Sequence, residues 1–160
     1  MIFNKGRTKD IPRNFQSHLK DILQQHSQLQ LINVAQSMPL RANTVYIAPS
    51  AQDLILKNSK LELVARPVAG QNLCVDRFFG SMAKQELGKR AIGVILSGSG
   101  FDGVSGAQAI KSAGGLEIAQ DPLSSTCKYL PQHAIEGGSV DHVAEPLQIP
   151  QLIQEYALSI

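Results

Sequence analysis

The segment that most restricts the fold is Ala91-Ile92-Gly93-Val94-Ile95-Leu96, which runs directly into Ser97-Gly98-Ser99-Gly100-Phe101-Asp102-Gly103. A near-continuous apolar run of this length marks a strand buried on both faces of a parallel sheet. Three glycines in the next seven residues allow tight or left-handed backbone geometry. A helical pattern follows at once, with Val104, Ala107, Ile110 and Ala113 as its buried stripe and Gly114-Gly115 as its stop. Strand, glycine-rich turn and helix together predict a right-handed βαβ unit. In such sheets, ligands and catalytic groups collect at the carboxyl ends of the strands, where the 97–103 loop lies.

The rest of the chain alternates in the same way. Asn14 is a candidate N-cap for a helix over 14–25, with Phe15, Leu19, Ile22 and Leu23 on one face. Residues 29–34 read as a strand and 38–43 as a turn. Three β-like runs follow at 44–48, 53–56 and 61–65, the last two close enough for a hairpin. A helix is expected over 74–87, with Val75, Phe78, Phe79 and Met82 on one side. Then come a strand at 116–119, a short helix at 131–135 and a strand at 140–143. A C-terminal helix at 146–156 points Leu147, Leu152, Ile153 and Tyr156 inward. The expected fold class is α/β: a three-layer, mostly parallel, doubly wound sheet with a β-hairpin. Residues 1–160 read as one domain, with 1–11 irregular.

Composition bounds the function. A chain of 160 residues with 43% hydrophobic and 18% charged residues is globular rather than disordered. No apolar run approaches the ~20 residues that span a bilayer, and the first twelve residues hold no signal-peptide core. Two cysteines are too few for a disulfide framework or a four-Cys zinc site. The expected setting is the cytoplasm. The net charge of +2, with 5% aromatics and no Trp, argues against nucleic acid as a partner. The charge is lopsided: residues 1–41 carry six basic and two acidic groups.

Asp102, at the mouth of a helix, admits three readings from spacing alone. It can cap backbone N–H groups, orient an imidazole in a nucleophilic triad, or belong to a phosphate-cradling loop. The loop matches neither Gly-x-Gly-x-x-Gly nor the P-loop pattern, and Ser99 lacks the Gly-x-Ser-x-Gly elbow of a nucleophile. His18, His26, His133 and His142 form no metal spacing, so neither a metal nor a cofactor is expected. Cys74 and Cys127 read as inert thiols. Asp76 reads as a helix-start carboxylate. Gln120 and Asp121 end a strand, on the edge that bears the 97–103 loop if the sheet is parallel.

Three stretches carry a resemblance. They are residues 92–111, the Ala-Gly-Gly-Leu-Glu-Ile-Ala-Gln-Asp-Pro of 113–122, and the Leu-Pro-Gln-His-Ala-Ile-Glu-Gly-Gly-Ser-Val-Asp-His-Val of 130–143. They resemble the C-terminal half of the CheB-type chemotaxis receptor methylesterase domain. Asn-Thr-Val-Tyr-Ile-Ala-Pro at 43–49, Asp-Leu-Ile-Leu at 53–56 and Cys-Val-Asp-Arg-Phe-Phe-Gly-Ser-Met-Ala at 74–83 resemble its middle. Ile-Pro-Gln-Leu-Ile-Gln-Glu-Tyr at 149–156 is similar to esterase domains fused to the partner methyltransferase. The resemblance covers residues 12–156.

It implies an α/β fold and a Ser–His–Asp triad that hydrolyses glutamate methyl esters, or deamidates glutamine, on chemoreceptor cytoplasmic domains. The triad Asp carries over to Asp102, and the backbone near Ser99 and Gly100 to the oxyanion loop. Two departures stand out. The family's Gly-Ala-Ser-x-Gly-Gly turn, bearing the nucleophile, is not found in these 160 residues, and no His precedes His18 where the general base would stand. Losing the Ser or the His of such a triad costs roughly 10⁶ in turnover, because its members act as a unit. The expectation is an N-terminally truncated domain, inactive alone. Its expected partners are a chemoreceptor, a receptor methyltransferase, or a second copy covering the edge left by a missing first βα unit.

Overall fold

The computed structural model describes residues 19–67 and 71–160. These belong to two compact units, 1–70 and 71–160.

In the first unit, α1 (Leu19–Gln25) leads into β1 (Gln30–Asn33), which pairs in parallel with β3 (Thr44–Ile47). The expected helix is seen only from Leu19, and its 14–18 part falls outside the described residues. The hairpin is β4 (Asp53–Lys57) against β5 (Lys60–Val64), in the register Leu54↔Leu63 and Leu56↔Leu61. Its two-residue turn places both Asn58 and Ser59 at positive φ, 49° and 59°. That is the mirror-image turn whose twist matches paired strands. The expected turn at 38–43 is instead partly a strand. Residues Met38–Pro39 form β2, at the free side of β5. An edge is where proline's missing N–H does no harm to the ladder. Tyr46 Oη accepts from Arg41 N at 2.8 Å and donates to Pro39 O at 3.3 Å, closing the 39–46 connection.

The second unit is a three-stranded parallel sheet between two helical layers. Strands β6 (Ile92–Ile95), β7 (Leu116–Gln120) and β8 (His142–Ala144) lie in sequence order. The helices α3 (Val104–Ser112) and α4 (Tyr129–Glu136) supply the two crossovers. Crossovers of one hand between successive strands put both helices on one face. The other face carries Leu116, Ile118, Ala144, Ile92 and Val94, covered by Ile149, Leu152, Ile153 and Tyr156 of α5 (Ile149–Leu158). The remaining helix, α2 (Cys74–Ala83), packs on α3. A Cβ on Gly106 would stand 2.5 Å from Phe79 Cβ, so only glycine lets these helices approach so closely.

Several expectations shift. The strand buried on both faces is β7, whose five residues are all buried, whereas β6 alternates between half-buried and buried. The helix expected over 74–87 ends at Ala83. The last strand begins at His142 rather than at residue 140. Gly138, at φ +71°, turns the chain out of α4, and Asp141 spends its backbone and side chain on Glu117. Leu147 was expected inward but is 92% exposed. Helix α5 starts at Ile149, with Pro150 in its first turn, so Ile149 takes the buried anchor position instead.

Candidate functional site at the carboxyl edge of the second sheet

Asp102 is 2% exposed, at the end of the loop that leaves β6. Its Oδ1 accepts from Val75 N at 3.0 Å and Asp76 N at 2.9 Å, and its Oδ2 lies 3.5 Å from Cys74 Sγ. The carboxylate therefore caps the start of α2. Asp76 returns the favour: its Oδ1 accepts from Gly103 N at 2.9 Å and Gly106 N at 2.8 Å, at the start of α3. Helix α2 thus begins on a carboxylate from the loop that leads into α3, and α3 on a carboxylate carried by α2. The arrangement satisfies amide donors that a helix start leaves without intrahelical partners, and it sets negative charge against both positive dipole ends. Gly103, at φ +115°, is the residue that lets the chain turn from Asp102 into α3. A Cβ there would also press on Val75 at 3.1 Å.

The first part of the loop is fastened to the segment after β7. Gln120, 5% exposed, accepts from Ser97 N with Oε1 at 2.8 Å and donates through Nε2 to Ser124 O at 3.1 Å. Ser97 Oγ accepts from Cys127 N at 2.9 Å and donates to Cys127 O at 3.3 Å. Gly98 N donates to Cys127 O, and Leu130 N to Gly98 O. A Cβ on Gly98 would meet Leu130 Cδ2 at 3.0 Å, so the approach is close. Asp121 Oδ1 accepts from Leu123 N and caps the turn at Pro122–Ser124.

The loop tip faces outward. Ser99 and Gly100 are exposed, and Phe101 is 64% exposed. Phe101 stacks on the His133 ring with centroids 4.0 Å apart and planes 13° from parallel. His133 Nδ1 lies 3.0 Å from Gly100 O. A carbonyl only accepts, so Nδ1 carries the proton in this contact.

The geometry sorts the sequence candidates. Asp102 and the 97–103 loop lie at the carboxyl edge, and Gln120 joins them, as the parallel sheet requires. His133 is brought to the loop tip, but toward Gly100 and Phe101. His142 lies on β8, and Ser97 is occupied with Cys127 rather than with an imidazole. Asp76 stands in the first turn of α2, as expected of a helix-start carboxylate, and its Oδ1 also caps the start of α3. The clamp made by Gln120 went unread in the sequence. Its signal was a polar residue closing an otherwise apolar strand on the loop-bearing edge. Among the described residues, no three His, Cys, Asp or Glu side chains converge to hold a metal ion. No described helix is long and apolar enough to cross a membrane.

The CheB methylesterase family model matches residues 8–153. The chain belongs to the CheB methylesterase family. It is 38% identical over 146 residues to the protein-glutamate methylesterase/protein-glutamine glutaminase 2 of Anaeromyxobacter dehalogenans, covering 91% of this chain and 42% of that protein. It is 34% identical over 140 residues to an uncharacterized 104.1 kDa protein of Rhodobacter capsulatus, covering 88% of this chain and 15% of that protein. The crystal structure of the Thermotoga maritima CheB methylesterase catalytic domain superposes with a TM-score of 0.80 at 30% identity, covering 91% of this chain and 79% of that one. The expected α/β class with mostly parallel strands is therefore the fold of this CheB-family chain. The chain spans less than half the length of these curated relatives.

Proposed function

We propose that this CheB-family chain keeps the esterase scaffold and the triad Asp without being able, by itself, to hydrolyse glutamate methyl esters on chemoreceptors or deamidate glutamine there. The observation that carries the reading is the commitment of the groups at the carboxyl edge. Asp102 holds the start of α2, and His133 is turned to Gly100 and Phe101. A triad needs a nucleophile hydrogen-bonded to a base that the Asp orients. Asp102 occupies the orienting position, and the exposed loop at Ser99 and Gly100 the place of oxyanion donors. The sequence contains no Gly-Ala-Ser-x-Gly-Gly turn to carry the nucleophile.

The test is methanol release from methylated chemoreceptor fragments by the purified chain. The expected rate is that of the blank. Release abolished by Asp102→Ala would replace this reading with a rebuilt triad, with Ser97 or Ser99 and His133 or His142 as its first suspects.

A second reading is a non-catalytic module that binds receptor helices or a receptor methyltransferase. The outward Phe101–His133 stack favours it, because it sets an exposed ring and an imidazole together at the loop tip, within reach of a partner. Retention of methylated receptor fragments on the immobilised chain would support it. Retention unchanged by Phe101→Ser would remove the stack from the account.

A further inference from the structure

Glu117 is the second residue of β7, the most buried strand, and is 0% exposed. Neither carboxyl oxygen has a hydrogen-bond partner. A Cβ on Gly93, its partner across β6, would stand within 2.5 Å of Glu117 Cδ and Oε2, so the carboxyl group fills the space that glycine leaves. Leu116 and Ile118, its neighbours along the strand, face α5. Alternation along a strand therefore turns Glu117 to the face of α3 and α4. Helix α3 runs back from the carboxyl edge and ends on the turn that carries Lys111, so its negative dipole end lies on the Glu117 side of the sheet, where a carboxylate is disfavoured.

We propose that Glu117 is a proton-operated switch in the layer between the sheet and α3 and α4: neutral, it sits in the dry space over Gly93; ionised, it forces that layer open and loosens the 97–103 loop at the head of α3. Burial is the main force keeping the proton on. The nearby Asp141 charge adds to it and Lys111 opposes it, which together lift the Glu117 carboxyl from 4.5 to about 8. The charged surroundings can be named element by element. Strand β6 contributes no titratable group. Helix α3 contributes Lys111, which is already paired with Asp141 at 3.0 Å. The approach to β8 contributes Asp141 and His142. Desolvation opposes the charge of Asp141, but the Glu117 amide, Lys111 and His142 outweigh it and hold that carboxyl below its usual value. On α4, Tyr129 is exposed, His133 faces Gly100, and Glu136 accepts from Gln132.

The direction of the effect follows from the raised value. Between pH 4.5 and about 8 the folded chain holds a proton that the unfolded chain has released. The stability is complete below 4.5 and is lost as pH rises through about 8. In urea unfolding of the full chain from pH 5 to 9, the folding constant relative to Glu117→Gln should fall about tenfold per pH unit as far as about pH 8, about 10³ in all, and then level off. Parallel profiles for the two proteins would overturn the proposal. A second measurement needs no variant: the ¹³C carboxyl signal of Glu117 should titrate near 8, and titration near 4.5 would overturn it. The coupling to the loop is read at the Val75 and Asp76 amides. Their hydrogen-exchange protection should drop above pH 8 in the wild type and not in Glu117→Gln, and equal protection in both would contradict the switch.

Discussion

At the scale of single residues, the second unit is organised by buried polar side chains that satisfy backbone amides of another element. Asp102 and Asp76 do this for two helix starts, and Gln120 does it for a loop. Such groups matter by what their removal leaves behind. A buried amide stripped of its acceptor costs about 1–3 kcal/mol. Gln120→Ala strands Ser97 N and leaves the Ser124 end untied. It should lower unfolding stability by about 1–2 kcal/mol and raise the exchange rate of the Ser97 amide, measurable by urea titration and by hydrogen exchange. The identity of these residues was visible in the sequence, but their partners were not. Asp76 read as a cap because it stands in the first turn of a helix. Only packing decides that the amides it satisfies belong to α3, since that requires Gly106 to bring the two helices together.

At the scale of elements, periodicity located most strands and helices, and local chemistry moved their ends. The hairpin was legible from two β-like runs separated by a polar tetrad. The two-residue turn at Asn58-Ser59 was not, because serine is an uncommon occupant of a left-handed position. Ser59→Gly should therefore stabilise the chain by about 0.5–1 kcal/mol, since glycine removes the left-handed strain but adds freedom to the unfolded state. A rise in thermal midpoint checks it, and a fall would mean that the Ser59 side chain supports the turn. Leu147 was placed inward by its spacing. Pro150 instead sets the helix start near Ile149, and a residue before that start is outside the apolar stripe. Glu117 escaped notice for a related reason. Within Leu-Glu-Ile-Ala it reads as the polar member of an alternating strand, and only three-dimensional cover on both faces makes it a buried acid.

At the scale of the whole molecule, membership of the CheB family was legible because several glycine-rich and capping motifs follow one another in a fixed order. Each corresponds to a backbone need: Gly103 a left-handed turn, Gly106 a close helix contact, Gly93 room beside a partner strand. The catalytic reading is less direct, because a triad is a spatial constellation and the sequence resemblance proposes a position for its Asp alone. The packing of Asp102 gives a reason for such a residue to persist under the proposed loss of hydrolysis. Its carboxylate is built into the junction of α2 and α3, so losing it damages the fold whether or not a substrate is turned over. The same logic explains how the proposed absence of hydrolysis is compatible with an intact site edge.

The most direct measurement is urea unfolding of Asp102→Ala against the wild type at pH 7. The expected loss is about 2–3 kcal/mol, the range for removing a buried charged acceptor from backbone donors, with the Val75 and Asp76 amides exchanging faster. Unchanged stability, with those amides as protected as before, would contradict the claim that this chain retains Asp102 to hold its helices together.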